Sequence, residues 1–437
     1  MAQTSPEETP GSSLTVGLEV ESFAALRSRT FSFTPADSLA ELLAMRVRTL
    51  PLYGPDGNGA AIEVVDNSGQ PPSGGLQLDY GSWNFTEDPV VQATHPEWFI
   101  QFYETQPIEI ISPTYWFTTY FWEQDIQKMF SSGTYQYNAI WANDIRLFHE
   151  FNGSTRFHVH IGNGTGVGSQ FPFETVRNLA MILLVYEPEL DRLLLRNKYS
   201  NSRVVPPRII SPKECPHFRP PNVPHEAPRS ALATHLLNTC PNINSVINAM
   251  NPPIASTLGP NARDYFKYNF TSLLDSLNAP PVPDGQSPQD GDATPTPPSY
   301  RPKRKAPTIQ FRHQNDTMDG DVFVHSIRFL SSLVYFAGEI DLESLREFLG
   351  LNTNMGGNGL SSFQQNSTSN NNNNNTNNRN STYSMLSGAT SASGHLYGIY
   401  PLGSLDRLLS ALEFSGVPID HETSRFWRRR AQSFPNS

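Results

Sequence analysis

Residues 17–23 read Gly17-Leu18-Glu19-Val20-Glu21-Ser22-Phe23, and this alternation of apolar and charged side chains predicts a β-strand. Glu19 and Glu21 are two residues apart, so both carboxylates leave the same face of that strand. Two like charges on one sheet face repel each other and are costly to desolvate unless a cation or a donor compensates them. Mg²⁺ or Mn²⁺ would suit, because hard divalent ions prefer carboxylate oxygens. Taken alone, the stretch is more typical of a half-exposed strand whose outer face carries two acids.

Three further segments also place polar side chains among β-forming neighbours. Glu109 interrupts an apolar run, His158 and His160 alternate with apolar residues, and Gln310 alternates with Arg312 in the last of these strands. An antiparallel sheet could bring these polar faces into one pocket while its other face packs on helices. The sequence therefore predicts an α+β fold, an antiparallel β-sheet with helices packed on one face.

Apolar residues at helical spacing predict the helices that would cover the other face. These helices are expected from Asp37 or Ser38 to Leu50, then over 115–130, 172–196 with a break or kink at Pro188, 230–238, 243–250, 319–337, 342–349 and 405–412. A short strand is also expected at Ala61–Val65.

Composition divides the chain into folded and low-complexity parts. Pro, Ser, Thr and Glu dominate residues 1–13, which are predicted as a disordered tail. One domain is expected over 14–350, with a Pro- and Asn-rich insertion at 279–306. An Asn- and Ser-rich linker is expected over 351–394, and a C-terminal helix with a basic tail over 395–437.

Charge and cysteine content narrow the function classes. The chain has 437 residues and a net charge of -10, which gives no general electrostatic case for binding nucleic acid. Its two cysteines, Cys215 and Cys240, form no disulfide framework and no CxxC motif, which suits a reducing compartment. We see no signal-peptide pattern and no apolar run near the ~20 residues that span a bilayer. A soluble cytoplasmic protein is expected. The basic cluster 301–305 could direct it to the nucleus, although a solvated loop explains so short a run more often.

The ordered motifs resemble those of the amidoligases, carboxylate–amine ligases related to γ-glutamylcysteine synthetase and glutamine synthetase. The matching segments are Gly-x-Glu-x-Glu at 17–21, Trp83 with Asp88, Glu109-Ile110-Ile111-Ser112-Pro113, His158–Gly162, Arg196–Tyr199, Thr308–Arg312 and Thr317-Met318-Asp319. The resemblance covers about residues 14–340 without the linkers. Each motif is weak alone, but their order and spacing together are specific. Two positions depart from the family: Gln310 replaces a usual Glu, and Asp88-Pro89-Val90 replaces Asp-Gly-Ser.

The resemblance implies a glutamine synthetase-like catalytic domain that forms an amide bond at the expense of ATP, through an acyl phosphate. It implies Mg²⁺ or Mn²⁺ held by Glu19, Glu21, Glu109 and His158. His158, Gln310 and Arg312 would contact the nucleotide, and Arg312 would neutralise the transferring phosphoryl group. Asp88 would orient the amine or a metal-bound water. The partners expected are a small-molecule or peptide carboxylate and an amine, with no nucleic acid and no membrane.

Two other function classes remain open at this point. A metal-dependent hydrolase could bind Zn²⁺ through His158 and His160 and use a glutamate to activate water. That reading leaves Arg312 and the paired glutamates without a role. A ligase-like fold kept as a binding protein is the second alternative, with Gln310 as the sign of lost activity. Chance polar faces on all four strands are the least favoured reading.

Overall fold

The computed structural model describes residues 13–26, 38–65, 79–88, 104–130, 145–148, 156–165, 169–194, 228–252, 266–277, 307–313, 318–351, 400–414 and 419–432. Within them, helices and one mostly antiparallel open sheet give the mixed α+β architecture that the sequence predicted in outline.

Strand β1 lies at the centre of the sheet. The strands are β1 Thr15–Leu26, β2 Ala61–Val65, β3 Ser82–Glu87, β4 Glu104–Ile111, β5 Tyr115–Trp116, β6 Ile145–Phe148, β7 Arg156–Gly162, β8 Tyr268–Asn269 and β9 Thr308–His313. Their order is β2-β3-β4-β1-β7-β9-β8, and β5 and β6 also pair with β1. The β2–β3 pair is parallel, whereas the other pairs are antiparallel.

The two-residue period of β1 separates a core face from a polar face. Val16, Leu18 and Val20 are each 1% exposed, while Glu19 and Glu21 alternate with them on the opposite side. Neighbouring strands keep the same alternation, because directly opposite residues share a face. In β7 the core-facing residues are Phe157, Val159 and Ile161, all fully buried.

The helices are α1 Leu39–Val47, α2 Phe121–Phe130, α3 Phe173–Leu194, α4 Arg229–Thr239, α5 Ile243–Met250, α6 Ser272–Leu277, α7 Gly320–Glu339, α8 Leu342–Phe348, α9 Leu405–Phe414 and α10 His421–Gln432. Helix α1 begins with a capping box between Ser38 and Glu41. Helix α7 packs on the core face of the sheet, where the Phe323 ring lies 4.7 Å from that of Phe157. None of the helices in the described ranges has the length and apolar character required to cross a membrane.

Helix α3 continues through Pro188, so of the break or kink expected there the break does not occur. Proline has no N–H, so the carbonyl four residues earlier, that of Leu184, lacks its helical donor. Arg229 at the start of α4 supplies one, with Nη1 at 3.2 Å from the Leu184 oxygen. The same Nη1 lies 2.5 Å from Oε2 of Glu187, whose side chain is 1% exposed. Helix α4 therefore repairs the defect that proline makes in α3.

Two other expectations needed correction. The helix predicted over 115–130 begins only at Phe121, because Tyr115 and Trp116 pair with β1 and the Phe117 N–H donates to the Leu14 carbonyl. Arg428, Arg429 and Arg430 lie inside α10 and not in a tail, since Trp427 of that helix is fully buried.

Several expectations lie outside the described residues. They concern the N-terminal tail up to residue 12, the motif at 196–199, the insertion at 279–306 with the basic cluster 301–305, Thr317 and the linker at 352–394.

Arg229→Met should destabilise the fold by about 1–3 kcal/mol, because the Leu184 carbonyl and the buried Glu187 both lose a donor. In a Pro188→Ala background the cost should be smaller, since the new N–H at 188 can bond to Leu184. Urea unfolding of the four proteins measures the coupling between the two positions.

The control is Arg425→Met, which removes an exposed arginine on α10. Equal costs of Arg229→Met in both backgrounds would show that the Leu184 carbonyl does not depend on Arg229.

Candidate functional site

The register of the sheet brings the predicted polar residues together in adjacent rows. Glu21 of β1 lies between Glu109 of β4 and Arg156 of β7. In the next row, Glu19 lies opposite His158, which in turn lies opposite Arg312 of β9. These rows lie on the face opposite the core.

A third row continues the polar face. Gly17 of β1 lies opposite His160, His160 opposite Gln310, and Gln310 opposite Asn269 of β8. The four polar strand faces that were recognised in the sequence therefore form one continuous surface.

The Glu19 carboxylate links both histidines of β7. Its Oε1 lies 2.7 Å from Nδ1 of His158, and its Oε2 lies 2.8 Å from Nε2 of His160. Burial alone would raise the pKa of Glu19, but these two histidines hold it well below its usual range. We therefore treat Glu19 as an ionised acceptor that receives an N–H from each ring.

His158 is neutral at physiological pH. Burial lowers the pKa of His158 to about 4, with the positive charges of Arg312 and Arg156 adding to the effect against the opposing charge of Glu19. The short contact to Glu19 places the single ring proton on Nδ1. Nε2 then carries a lone pair, and it has no hydrogen-bond partner within the described residues although the side chain is fully buried.

This orphaned nitrogen fits a divalent metal ion. It lies 3.6 Å from Oε1 of Glu21, and Glu19, Glu21 and His158 can offer ligand atoms that all lie within 4.8 Å of one another. Histidines that bind a metal through one nitrogen commonly donate the other N–H to a carboxylate, as His158 does to Glu19. The three residues present could therefore hold a divalent ion.

The carboxylates on this face carry more negative charge than the nearby guanidinium groups offset. Burial raises the pKa of Glu21 to about 8; the charges of Glu19 and Asp88 add to this, and those of Arg156 and Arg312 only partly oppose it. Burial, together with the charge of Glu19 and a hydrogen bond to it, raises the pKa of Glu109 well above its usual range. A bound cation would relieve both shifts.

Asp88 joins this cluster from the end of β3. It is 8% exposed, its N–H donates to the Pro107 carbonyl at 3.2 Å, and its charge acts on both Glu21 and Glu109. The resemblance of the Trp83–Asp88 segment to the amidoligase motif implied a site role for Asp88, but Trp83 itself is fully buried in the core.

Gln310 links the two ends of the polar face. Its Oε1 accepts hydrogen bonds from Asn269 and from Nη2 of Arg312, each at 3.2 Å, and its Nε2 lies 3.2 Å from Nδ1 of His158. The amide oxygen, which could have ligated a metal, is thus already occupied. Arg312 keeps its buried Nε without a partner among the described residues, so this donor is available to an anion.

His160 differs from His158 in having both ring nitrogens engaged. Nε2 contacts Glu19 at 2.8 Å, and Nδ1 lies 3.4 Å from the Thr308 hydroxyl. The pair does not present two free nitrogens to a shared metal ion.

Two further residues belong to the site but were not assigned to it from the sequence. Arg156 is 5% exposed, and its Nε lies 3.8 Å from Oε2 of Glu21. Strand alternation from His158 could have found it. Tyr80 precedes β3, and burial together with the charges of Glu19 and Glu109 raises its pKa to about 12. No periodic pattern marks Tyr80, because it lies in a turn.

Ser112 of the Glu-x-x-Ser-Pro motif has a structural role in this neighbourhood. Its Oγ accepts the Leu18 N–H at 2.8 Å and donates to the Pro113 carbonyl at 2.8 Å. The motif therefore fixes the end of β4 against β1, next to Glu19.

Comparison with known proteins adds no relationship. No family model, no curated protein and no solved structure matches this chain.

The carboxylate cluster makes stability depend on pH when no divalent ion is present. The pKa of Glu21 is about 8 in the fold against 4.5 for an ordinary glutamate, so the folded state binds the extra proton between these values. This contribution is fully present below pH 4.5 and is lost as the pH rises through 8. At pH 8, Glu21→Gln should be more stable than the wild type by at least about 1 kcal/mol, with no gain at pH 4.

Urea unfolding with a chelator at pH 4, 6 and 8 measures this difference. Glu63→Gln, on an exposed position of β2, is the matched control. A difference between Glu21→Gln and wild type that does not grow with pH would contradict the assigned charge state.

Proposed function

We propose that the protein is an ATP-dependent carboxylate–amine ligase of the amidoligase type. The observation that carries the proposal is one sheet face that combines a metal-type group, Glu19, Glu21 and His158, with two arginines. Carboxylates suit a divalent ion and guanidinium groups suit phosphate, the two needs of phosphoryl transfer. The proposal includes a glutamine synthetase-like catalytic domain, and it expects the cytoplasm as the compartment because ATP is supplied there.

The reaction would proceed in two steps. An oxygen of the substrate carboxylate attacks the γ-phosphorus of ATP, the bond to the ADP oxygen breaks, and an acyl phosphate forms. The amine nitrogen then attacks the acyl carbon and loses a proton, and phosphate leaves with the electrons of the broken C–O bond. Both steps develop negative charge on phosphate oxygens, which a cationic pocket stabilises.

The residues divide this work according to their contacts. Glu19, Glu21, Glu109 and His158 would hold Mg²⁺ or Mn²⁺. When bound, this ion neutralises phosphate charge. Arg312 directs its unpartnered Nε to the transferring phosphoryl group, and Gln310 fixes its guanidinium through the hydrogen bond at 3.2 Å. Asp88 would orient the amine beside the acidic cluster.

The zinc hydrolase has less support. It requires one ring nitrogen from each histidine, His158 and His160, to reach the same ion. Both ring nitrogens of His160 are already engaged, by Glu19 and by Thr308. It also leaves Arg156 and Arg312 without a function.

Phosphate release from ATP and Mg²⁺, measured with a panel of amino acids, short peptides and polyamines, tests the proposal. The wild type should release phosphate only when both a carboxylate and an amine are present. Glu21→Ala and Arg312→Ala should each reduce the rate by roughly 10³-fold, the scale found when a charge-stabilising group is removed.

Matched controls are Glu347→Ala on α8 and Arg425→Ala on α10, two exposed charged positions away from the polar face, which should keep full activity. Full turnover in both site variants would refute the ligase. Nucleotide binding without amine-dependent phosphate release would favour the binding-protein alternative.

Gln310→Glu restores the carboxylate that the resembling family has. The new carboxylate can accept the same hydrogen bonds from Asn269 and Arg312, and it adds a negative charge 3.2 Å from the His158 ring. We expect roughly tenfold tighter Mg²⁺ binding, because affinity follows the number of charged ligands. Calorimetric titration with Mg²⁺ measures it. Unchanged or weaker binding would mean that position 310 does not influence the metal.

A further inference from the structure

An exposed tryptophan lies on the same sheet face as the carboxylates. Trp116 of β5 is 38% exposed, and it lies directly opposite Thr15 of β1. Thr15 is in phase with Gly17 and Glu19 along the regular β1–β7 ladder, so all of them share one face. Trp116 therefore extends the polar face with an aromatic surface at its end.

The orientation of Trp116 is fixed by its neighbours. Tyr115 points into the core, where it is 1% exposed and its hydroxyl donates to Oδ2 of Asp125 at 2.9 Å. The Trp116 carbonyl accepts hydrogen bonds from the Thr119 N–H at 3.1 Å and from its hydroxyl at 2.8 Å. Because adjacent strand residues face opposite sides, the anchored Tyr115 holds Trp116 on the outer face.

Between Trp116 and the carboxylates, the sheet surface carries few projecting side chains along β1. Gly17 has no side chain there, and a Cβ at this position would lie 3.8 Å from both the His160 Cβ and the Ser112 Oγ. Gly162, opposite Thr15, also lacks a side chain, but the Thr15 side chain fills that space, because a Cβ at 162 would lie only 2.6 Å from the Thr15 Oγ1. The missing side chain at Gly17 leaves a shallow track between the row of Trp116 and Glu19.

The length of this track matches a nucleotide. Thr15 and Glu19 are four residues apart, which corresponds to about 14 Å along a strand. An extended nucleoside triphosphate covers such a span between its base and its γ-phosphate. With the γ-phosphate at Glu19 of the metal-type group, which is one strand across from β5, the base reaches the row of Trp116.

We propose that Trp116 is the platform on which the base of ATP stacks, an inference that rests on the proposed function. A flat aromatic ring stacks on an indole whatever its edge groups, and such a stack contributes to binding without contacting the phosphates. The track over Gly17 then carries the triphosphate to the metal-type group. The platform gives this face its affinity for a nucleotide over a free polyphosphate.

The test compares two probes by calorimetry in the presence of Mg²⁺: a non-hydrolysable ATP analogue and inorganic tripolyphosphate. Trp116→Ala should weaken binding of the ATP analogue about tenfold, within the range of an aromatic–base stack, and leave tripolyphosphate binding unchanged. Trp116→Phe should stay within about threefold of the wild type for both probes, because a ring is kept. Met45→Ala, which shortens a side chain 55% exposed on α1, is the matched control and should bind both probes as the wild type does.

The possible failures are distinguishable. Unchanged binding of the ATP analogue in Trp116→Ala would overturn the platform and leave the proposed function standing. Equal weakening of both probes would also overturn it, since a general disturbance of the face would then be the cause. A wild type that binds neither probe would overturn the proposed function, and the platform with it.

Discussion

The site depends on the contact of one carboxylate with two histidines. Glu19 receives an N–H from His158 and another from His160, and this arrangement fixes which ring nitrogen of each histidine carries the proton. With its proton on Nδ1, His158 turns a bare nitrogen towards Glu21. Because Nε2 of His158 is buried, water does not readily reach it. A buried polar atom without a partner is unfavourable, so a ligand at this nitrogen would stabilise the fold.

The arrangement is possible because β1 separates two environments along a single strand. Its even-numbered residues from Val16 to Val20 pack in the core, and Glu19 and Glu21 alternate with them. A shift of one residue in register would bury both acids in the core and expose the apolar set. Core packing of the apolar face thus holds the two glutamates in position. Acids on a loop would not be held by core packing in this way.

The sequence predicted this face well because strand alternation is local and regular. Glu19, Glu109, His158 and Arg312 each follow a two-residue period, and opposite residues of an antiparallel sheet necessarily share a face. The class of fold followed from the same pattern. Tyr80 could not be found in this way, since its approach to the carboxylates depends on how a turn packs and not on any period.

Contacts between residues far apart in the chain could not be predicted from the sequence either. Pro188 predicted a break or kink in helix α3, but the donor that Arg229 supplies to the Leu184 carbonyl joins residues from two separate helices. The start of α2 was missed for a related reason. Aromatic residues at 115–120 suit a helix or a strand. Residues 115 and 116 form a strand because they pair with β1, a tertiary contact that overrides local preference.

Gln310 is best understood through the charge balance of the described polar face. Four carboxylates, those of Glu19, Glu21, Asp88 and Glu109, meet two guanidinium groups, those of Arg156 and Arg312. If a bound divalent ion displaces the protons of Glu21 and Glu109, it brings this set to neutrality before any substrate enters. A glutamate at 310 would add one uncompensated negative charge and favour a second cation. The neutral amide of Gln310 orients Arg312 without adding charge. The glutamine at 310 is thus compatible with a centre built around one metal ion.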